Sequence, residues 1–122
     1  MIINHVSVGA SDVALAVKFY DSVLATLSIS RAHYIDNVAA AYGDNFEFWV
    51  GCPCENQPSI GNGSHVAFNA PTKAAVDAFY CTAIEQGGRC EGKPGLRPEY
   101  GESYYAAFVR DLDGNKIEAV FM

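Results

Sequence analysis

Laid on itself with a shift of sixty residues, the chain superposes its start on its middle. His5-Val6 falls on His65-Val66, Ala10 on Ala70, Ala14 on Ala74, and Phe19-Tyr20 on Phe79-Tyr80. These are six identities in the sixteen positions from 5 to 20, where chance gives roughly one. The repeat limits the fold to two copies of one module, and 122 residues leave about sixty for each. A chain of that length builds one core without disulfide or metal staples.

Each copy reads as a strand, a helix and three strands. Ile2 to Gly9 and Ser64 to Ala70 are short apolar runs bounded by turn formers, each with a histidine near its start. Ser11-Asp12 and Pro71-Thr72 supply N-cap chemistry. Helical spacing follows at Val13, Val17, Tyr20, Leu24 and Leu27, and again at Val76, Phe79, Tyr80, Ala83 and Ile84, with Gly87-Gly88 ending the second helix. Strands are then expected at residues 28–34, 38–42 and 45–50 in the first half, and at 89–91, 103–110 and 116–121 in the second. Asp113-Gly114 signals a tight hairpin, and Asp111 and Asp113 beside it read as turn formers. The division is residues 1–50, a linker at 51–63 rich in Gly, Pro, Asn and Ser, and residues 64–122.

Composition narrows the partners. Half the residues are hydrophobic and 18% are charged, the reverse of a disordered chain. Eight Lys and Arg against 14 Asp and Glu give a net charge of −6 with no basic cluster, which excludes nucleic acid and anionic membranes as expected partners. No run reaches the ~18 apolar residues of a membrane span, and the start lacks a signal-peptide pattern, so a cytoplasmic protein is expected. Cys52, Cys54, Cys81 and Cys90 then read as thiols. Cys52-Pro53-Cys54 lacks a second pair at zinc-ligand spacing.

Four polar residues stand out: His5, Glu47, His65 and Glu118. Strand alternation directs Val6 and Val8 to a helix-packed core and His5 to the other face, and treats His65 likewise against Val66 and Phe68. Glu47 lies between Phe46 and Phe48, and Glu118 between Ile117 and Ala119. Two imidazoles and two carboxylates on one sheet face are costly to desolvate unless something satisfies them. A divalent cation does so, and mixed nitrogen and oxygen ligation suits zinc, nickel, iron(II) or manganese.

His5-Val6-Ser7-Val8 with Asp12 and Phe19-Tyr20, His65-Val66-Ala67-Phe68, the stretch Tyr42 to Trp49, the Gly95-Leu96-Arg97-Pro98 loop and the ending Arg110 to Glu118 resemble the vicinal oxygen chelate superfamily. This is the glyoxalase, bleomycin-resistance and extradiol-dioxygenase group, and the resemblance covers essentially the whole chain. The final motif departs from the usual pattern at Leu112, where proline commonly stands. The resemblance implies an α+β fold of two βαβββ modules forming a cupped mixed sheet, with helices outside and a metal inside. By position it implies His5, Glu47, His65 and Glu118 as metal ligands. It also implies a homodimer, in which modules of two chains often surround one site.

For function the resemblance implies a metal-dependent glyoxalase-like lyase or isomerase acting on a small oxygen-chelating substrate. The metal would be the Lewis acid, and Glu47 and Glu118 the catalytic carboxylates. Glutathione-binding members carry an arginine in the first strand about where this chain has Gly9, which points away from that substrate. A dioxygenase would use His5, His65 and Glu118 around iron(II), but no motif brings His33 to the metal as an acid–base partner. A non-catalytic, drug-sequestering protein is the alternative, with Trp49, Tyr100, Tyr104 and Tyr105 available to line a groove. Ser7, Trp49 and Asn69 share faces with His5, Glu47 and His65 and join Tyr104 as pocket residues. Arg97, in the loop of the second module, meets an anionic substrate or forms a surface salt bridge.

Overall fold

The computed structural model describes residues 2–122. The first module runs β1 (Val6–Gly9), α1 (Val13–Ala25), β2 (Arg31–Ile35), β3 (Ala39–Tyr42) and β4 (Phe48–Gly51). The second runs β5 (Val66–Asn69), α2 (Lys73–Glu85), β6 (Arg89–Leu96), β7 (Tyr105–Arg110) and β8 (Lys116–Phe121). The strands form two four-stranded sheets, ordered β1-β4-β3-β2 and β5-β8-β7-β6. In each the last strand returns parallel to the first, Val6 opposite Phe48 and Val66 opposite Ile117, while the other pairs are antiparallel. This is the repeated βαβββ unit expected from the sixty-residue shift.

The helix starts follow the sequence signals. Asp12 accepts from Leu15 N at 3.1 Å, and Thr72 accepts from Ala75 N at 3.0 Å, each satisfying an orphan donor of the first turn. The buried faces of α1 and α2, including Tyr20, Leu24, Val76 and Phe79, join Phe48 and Val50 of the first sheet and Val109 and Ile117 of the second in one core. Phe48 and Phe68 meet edge to face across the modules, 5.0 Å between centroids. Alternation then fixes what faces away. In β7 and β8, Ala107, Val109, Ile117 and Ala119 enter the core, which leaves Phe108, Lys116 and Glu118 on the opposite, cupped face.

A second tie joins the modules at the loop between β7 and β8. Asp111 is buried, and its Oδ1 accepts from the backbone N–H groups of Asp113 and Asn115, both at 2.9 Å. Its Oδ2 accepts from Tyr20 Oη of α1 at 2.5 Å and from Asn115 Nδ2 at 3.0 Å. Asp113 accepts from the backbone and hydroxyl of Ser11, and Asn115 Nδ2 also donates to Gly9 O. The turn role expected of the two aspartates is thus joined by a cross-module role that no local pattern announces.

Several boundaries differ from expectation for local reasons. β1 and β5 begin at Val6 and Val66, so both histidines stand one residue before their strands. β4 begins at Phe48, because the turn at residues 43–45 runs into a left-handed Phe46 (φ 58°) and Glu47 follows it as irregular backbone. Residues 92–96, expected as loop from Gly92, Pro94 and Gly95, continue β6 through register shifts between Cys90 and Gly92 and between Gly92 and Gly95. Gly9 packs against the linker, where an added Cβ would stand 3.1 Å from Pro58 Cβ, so any side chain there requires the linker to give by a few tenths of an ångström. Among the described residues no helix is long and apolar enough to cross a membrane. All four cysteines are free and exposed.

Candidate functional site

The main cleft opens on the cupped face of the second sheet, with a volume of about 430 Å³. His65, Phe108, Lys116 and Glu118 contribute from the strands or their ends, and Arg97 and Tyr104 from the loop that closes β6 onto β7. That loop is pinned by Arg97 N donating to Tyr104 O at 2.7 Å.

Glu118 is the chemical centre of the cleft. Its side chain is only 2% exposed, yet both carboxylate oxygens are hydrogen-bonded. His65 Nε2 donates to Oε1 at 3.1 Å, and Tyr104 Oη donates to Oε2 at 2.5 Å. His65 is 42% exposed, so this relay reaches from a buried carboxylate to solvent. Burial and the Glu118 carboxylate push the Tyr104 phenol up to about 12, which keeps it a donor at neutral pH.

The other expected site residues are placed as follows. His5 is exposed, bonded through its ring nitrogen to Asn4 Oδ1 at 2.7 Å and edge-on to Trp49 at 6.5 Å. Glu47 is exposed and curls over its own turn, accepting from Asn45 N at 2.7 Å. Glu47 and His65 line one cleft at the module seam, and Ser7 and His65 line another. Trp49 joins His5, His33 and Phe46 in an aromatic cluster on the first sheet, where His33 and Phe46 stack at 6.0 Å. Asn69 is exposed at the end of β5. The structure therefore brings Glu118, His65, Tyr104 and Arg97 to one cleft and leaves His5, Glu47 and Trp49 on the first module. Phe108 and Lys116 were not anticipated. The signal existed, since Lys116 shares a strand face with Glu118 by period two and Phe108 lies opposite Glu118 in the register.

Two of the four donors fit a divalent ion as they stand. A ring nitrogen and a carboxylate oxygen 3.1 Å apart are spaced like neighbouring ligands of one ion with bonds of about 2.0–2.2 Å. Tyr104 supplies the outer hydrogen bond that orients such a carboxylate. Among the described residues no three His, Cys, Asp or Glu side chains converge. His5 and Glu47 are each held only by a neighbour within two residues, so they complete a ligand set only by moving.

The fold and site together define a two-module, cupped protein whose cleft is lined by charged side chains. The sequence profile of the Glyoxalase/Bleomycin resistance protein/Dioxygenase superfamily matches residues 2–119, and the chain belongs to that superfamily. A crystal structure of a glyoxalase/bleomycin resistance protein from Albidiferax ferrireducens T118 is similar at 34% identity and TM-score 0.89, covering 100% of this chain and 99% of that one. A glyoxalase-related enzyme from Fulvimarina pelagi shares the fold at 16% identity and TM-score 0.77, covering 98% and 87%. A lactoylglutathione lyase from Agrobacterium tumefaciens does so at 18% and 0.67, covering 99% and 92%. No curated protein sequence matches the chain.

Proposed function

We propose that the protein is a glyoxalase-like lyase or isomerase that moves a proton on a small oxygenated substrate in the second-sheet cleft. The observation that carries this reading is the held carboxylate of Glu118, buried at the cleft wall with an oriented partner on each oxygen. His65 and Glu118 would hold a divalent ion (zinc, nickel, iron or manganese), which would supply Lewis-acid polarisation of a substrate oxygen. The chain's own groups do the rest. Tyr104 fixes Oε2 and so orients Oε1, which faces His65 when no ion is bound and would be its fellow ligand when one is. With Oε1 so engaged, the carboxylate that would take up and return the substrate proton is the second one. Glu47, exposed at the seam, is the second carboxylate assigned to the reaction and the one with freedom to swing.

Metal analysis of protein purified without added metal tests the reading. About one divalent ion per chain is expected, lost in His65→Ala, together with methylglyoxal turnover that does not require glutathione. Wild-type protein that binds no divalent ion and turns over no dicarbonyl, with or without glutathione, would overturn it. The aromatic cluster of His5, His33, Phe46 and Trp49 favours sequestration of a flat molecule as the second reading. Saturable binding of an aromatic drug by metal-free protein without turnover would select it.

We also propose a homodimer, with a second copy covering the first sheet's outer edge. All of β2 is exposed, and Tyr34, Ile35 and Val38 place an apolar patch on that hairpin, an arrangement that isolated edges avoid. Light scattering is expected to give twice the 13.1 kDa chain mass, falling to the single mass in Ile35→Lys. A monomeric wild type would remove this assignment.

A further inference from the structure

The cleft contains two cations that no part of the proposed proton transfer uses. Arg97 spends Nη2 on two backbone carbonyls, Lys93 O at 2.5 Å and Ala106 O at 3.4 Å. Its Nε is buried and has no partner. Lys116 lines the same cleft, and each cation lies against the Phe108 ring: Arg97 Cζ is 5.5 Å and Lys116 Nζ 5.2 Å from its centroid. Neither forms a salt bridge among the described residues. The nearby acids are largely committed. Glu91 accepts from Arg110 Nε at 2.8 Å, and Glu118 is occupied by His65 and Tyr104, which leaves Glu99 on the outer loop.

We propose that the cleft takes a small carboxylic acid bearing a second oxygen function, its carboxylate held by Arg97 and Lys116 beside Phe108 and its carbonyl or hydroxyl directed to His65 and Glu118. A carboxylate is the anion whose planar geometry a guanidinium matches, and both Arg97 and Lys116 line the cleft without a salt bridge among the described residues. The His65 and Phe108 rings adjoin, with centroids 6.2 Å apart, so the cations beside Phe108 and the His65–Glu118 pair belong to one continuous cleft that a short ligand can span. Short oxo and hydroxy acids meet both conditions. The inference rests on the proposed reaction site for the second end of the ligand, but the carboxylate clamp consists of residues outside that chemistry.

Calorimetric titration with 4-oxopentanoate and with its neutral methyl ester tests it on metal-free and metal-loaded protein. Saturable binding of the acid is expected, at least about tenfold tighter than the ester and weakened by salt. Arg97→Lys and Lys116→Gln are each expected to remove most of that preference. Lys116→Gln keeps the experiment decisive if Arg97→Lys folds poorly, because Lys116 makes no hydrogen bond that holds the loop. Equal binding of acid and ester, or a preference unchanged in Lys116→Gln, overturns the clamp. Acid-selective binding that persists in Glu118→Gln, in a protein with no turnover of any dicarbonyl, sustains the clamp and rejects the proposed reaction. Turnover of neutral dicarbonyls without acid-selective binding does the reverse.

Discussion

Glu118→Gln is expected to leave a folded protein whose turnover has fallen by about 10²–10⁴-fold. The amide has the volume of the carboxylate, and its oxygen still accepts from Tyr104, so the cleft wall remains packed. What disappears is the one group in the cleft that is both buried and able to hold a proton or ligate a cation. Tyr104→Phe separates positioning from chemistry. It removes the 2.5 Å bond to Oε2 while leaving Oε1 and His65 in place, and a loss of about 10–100-fold is expected, the usual cost of removing an outer partner of a site. Steady-state kinetics on both variants, with circular dichroism to show that each folds, provides the comparison. Wild-type activity in Glu118→Gln would remove this carboxylate from the mechanism.

Asp111→Ala is expected to cost about 3–4 kcal/mol of folding stability, against a total of about 5–15 kcal/mol for a domain of this kind. The substitution strands Tyr20 Oη and two backbone N–H groups at once and removes one of the two bonds of Asn115 Nδ2, and Tyr20 is fully buried. Tyr20→Phe removes one bond to the carboxylate and should cost about 1.5–3 kcal/mol. Thermal melts should order the proteins as wild type, Tyr20→Phe and Asp111→Ala, the last lower by about 10–15 °C. Coincident melts for all three would mean that the cross-module tie carries no net energy. The same contact sets a pH limit. Burial, reinforced by the Asp111 charge, holds the Tyr20 phenol well above its ordinary value, and burial with a bond to Asp21 does the same for Tyr42. The unfolded chain releases these protons near pH 10 and the folded chain retains them. Their contribution is therefore complete below about pH 10 and is lost as pH rises further, so the melts should fall on the alkaline side.

How far the sequence carried the reading depended on whether a feature was local. The modules were legible because a six-residue coincidence at one shift marks the same strand and helix in both halves, and because Asp12 and Thr72 announce their helices unaided. His65 and Glu118 were legible because each is set in a strand whose apolar neighbours face the core, so alternation sends both to the cupped face, where they meet. Glu47 was harder. A left-handed Phe46 turns it out of the strand, and no alternation pattern signals one positive φ. β6 was cut short in the reading because glycine and proline punctuate strands as well as end them, and here Gly92 is the residue that lets Phe108 approach within 3.1 Å of where a Cβ would stand. Tyr20 and Asp111 lie ninety-one positions apart, a contact that only the docked modules create.

The return of β4 to β1 and of β8 to β5 has a consequence for the order in which the chain assembles. Each parallel pair closes a loop within its own module, between first and last strands some forty to fifty residues apart, whereas the Tyr20 to Asp111 contact closes one of ninety-one. Ring closure over longer spans costs more entropy, by about 0.6 kcal/mol per doubling, so the Tyr20 to Asp111 contact has a higher search cost than the parallel pairs. That contact is therefore expected to form late. Substitutions at the joint should therefore act mainly by hastening unfolding, and substitutions within a half by slowing folding.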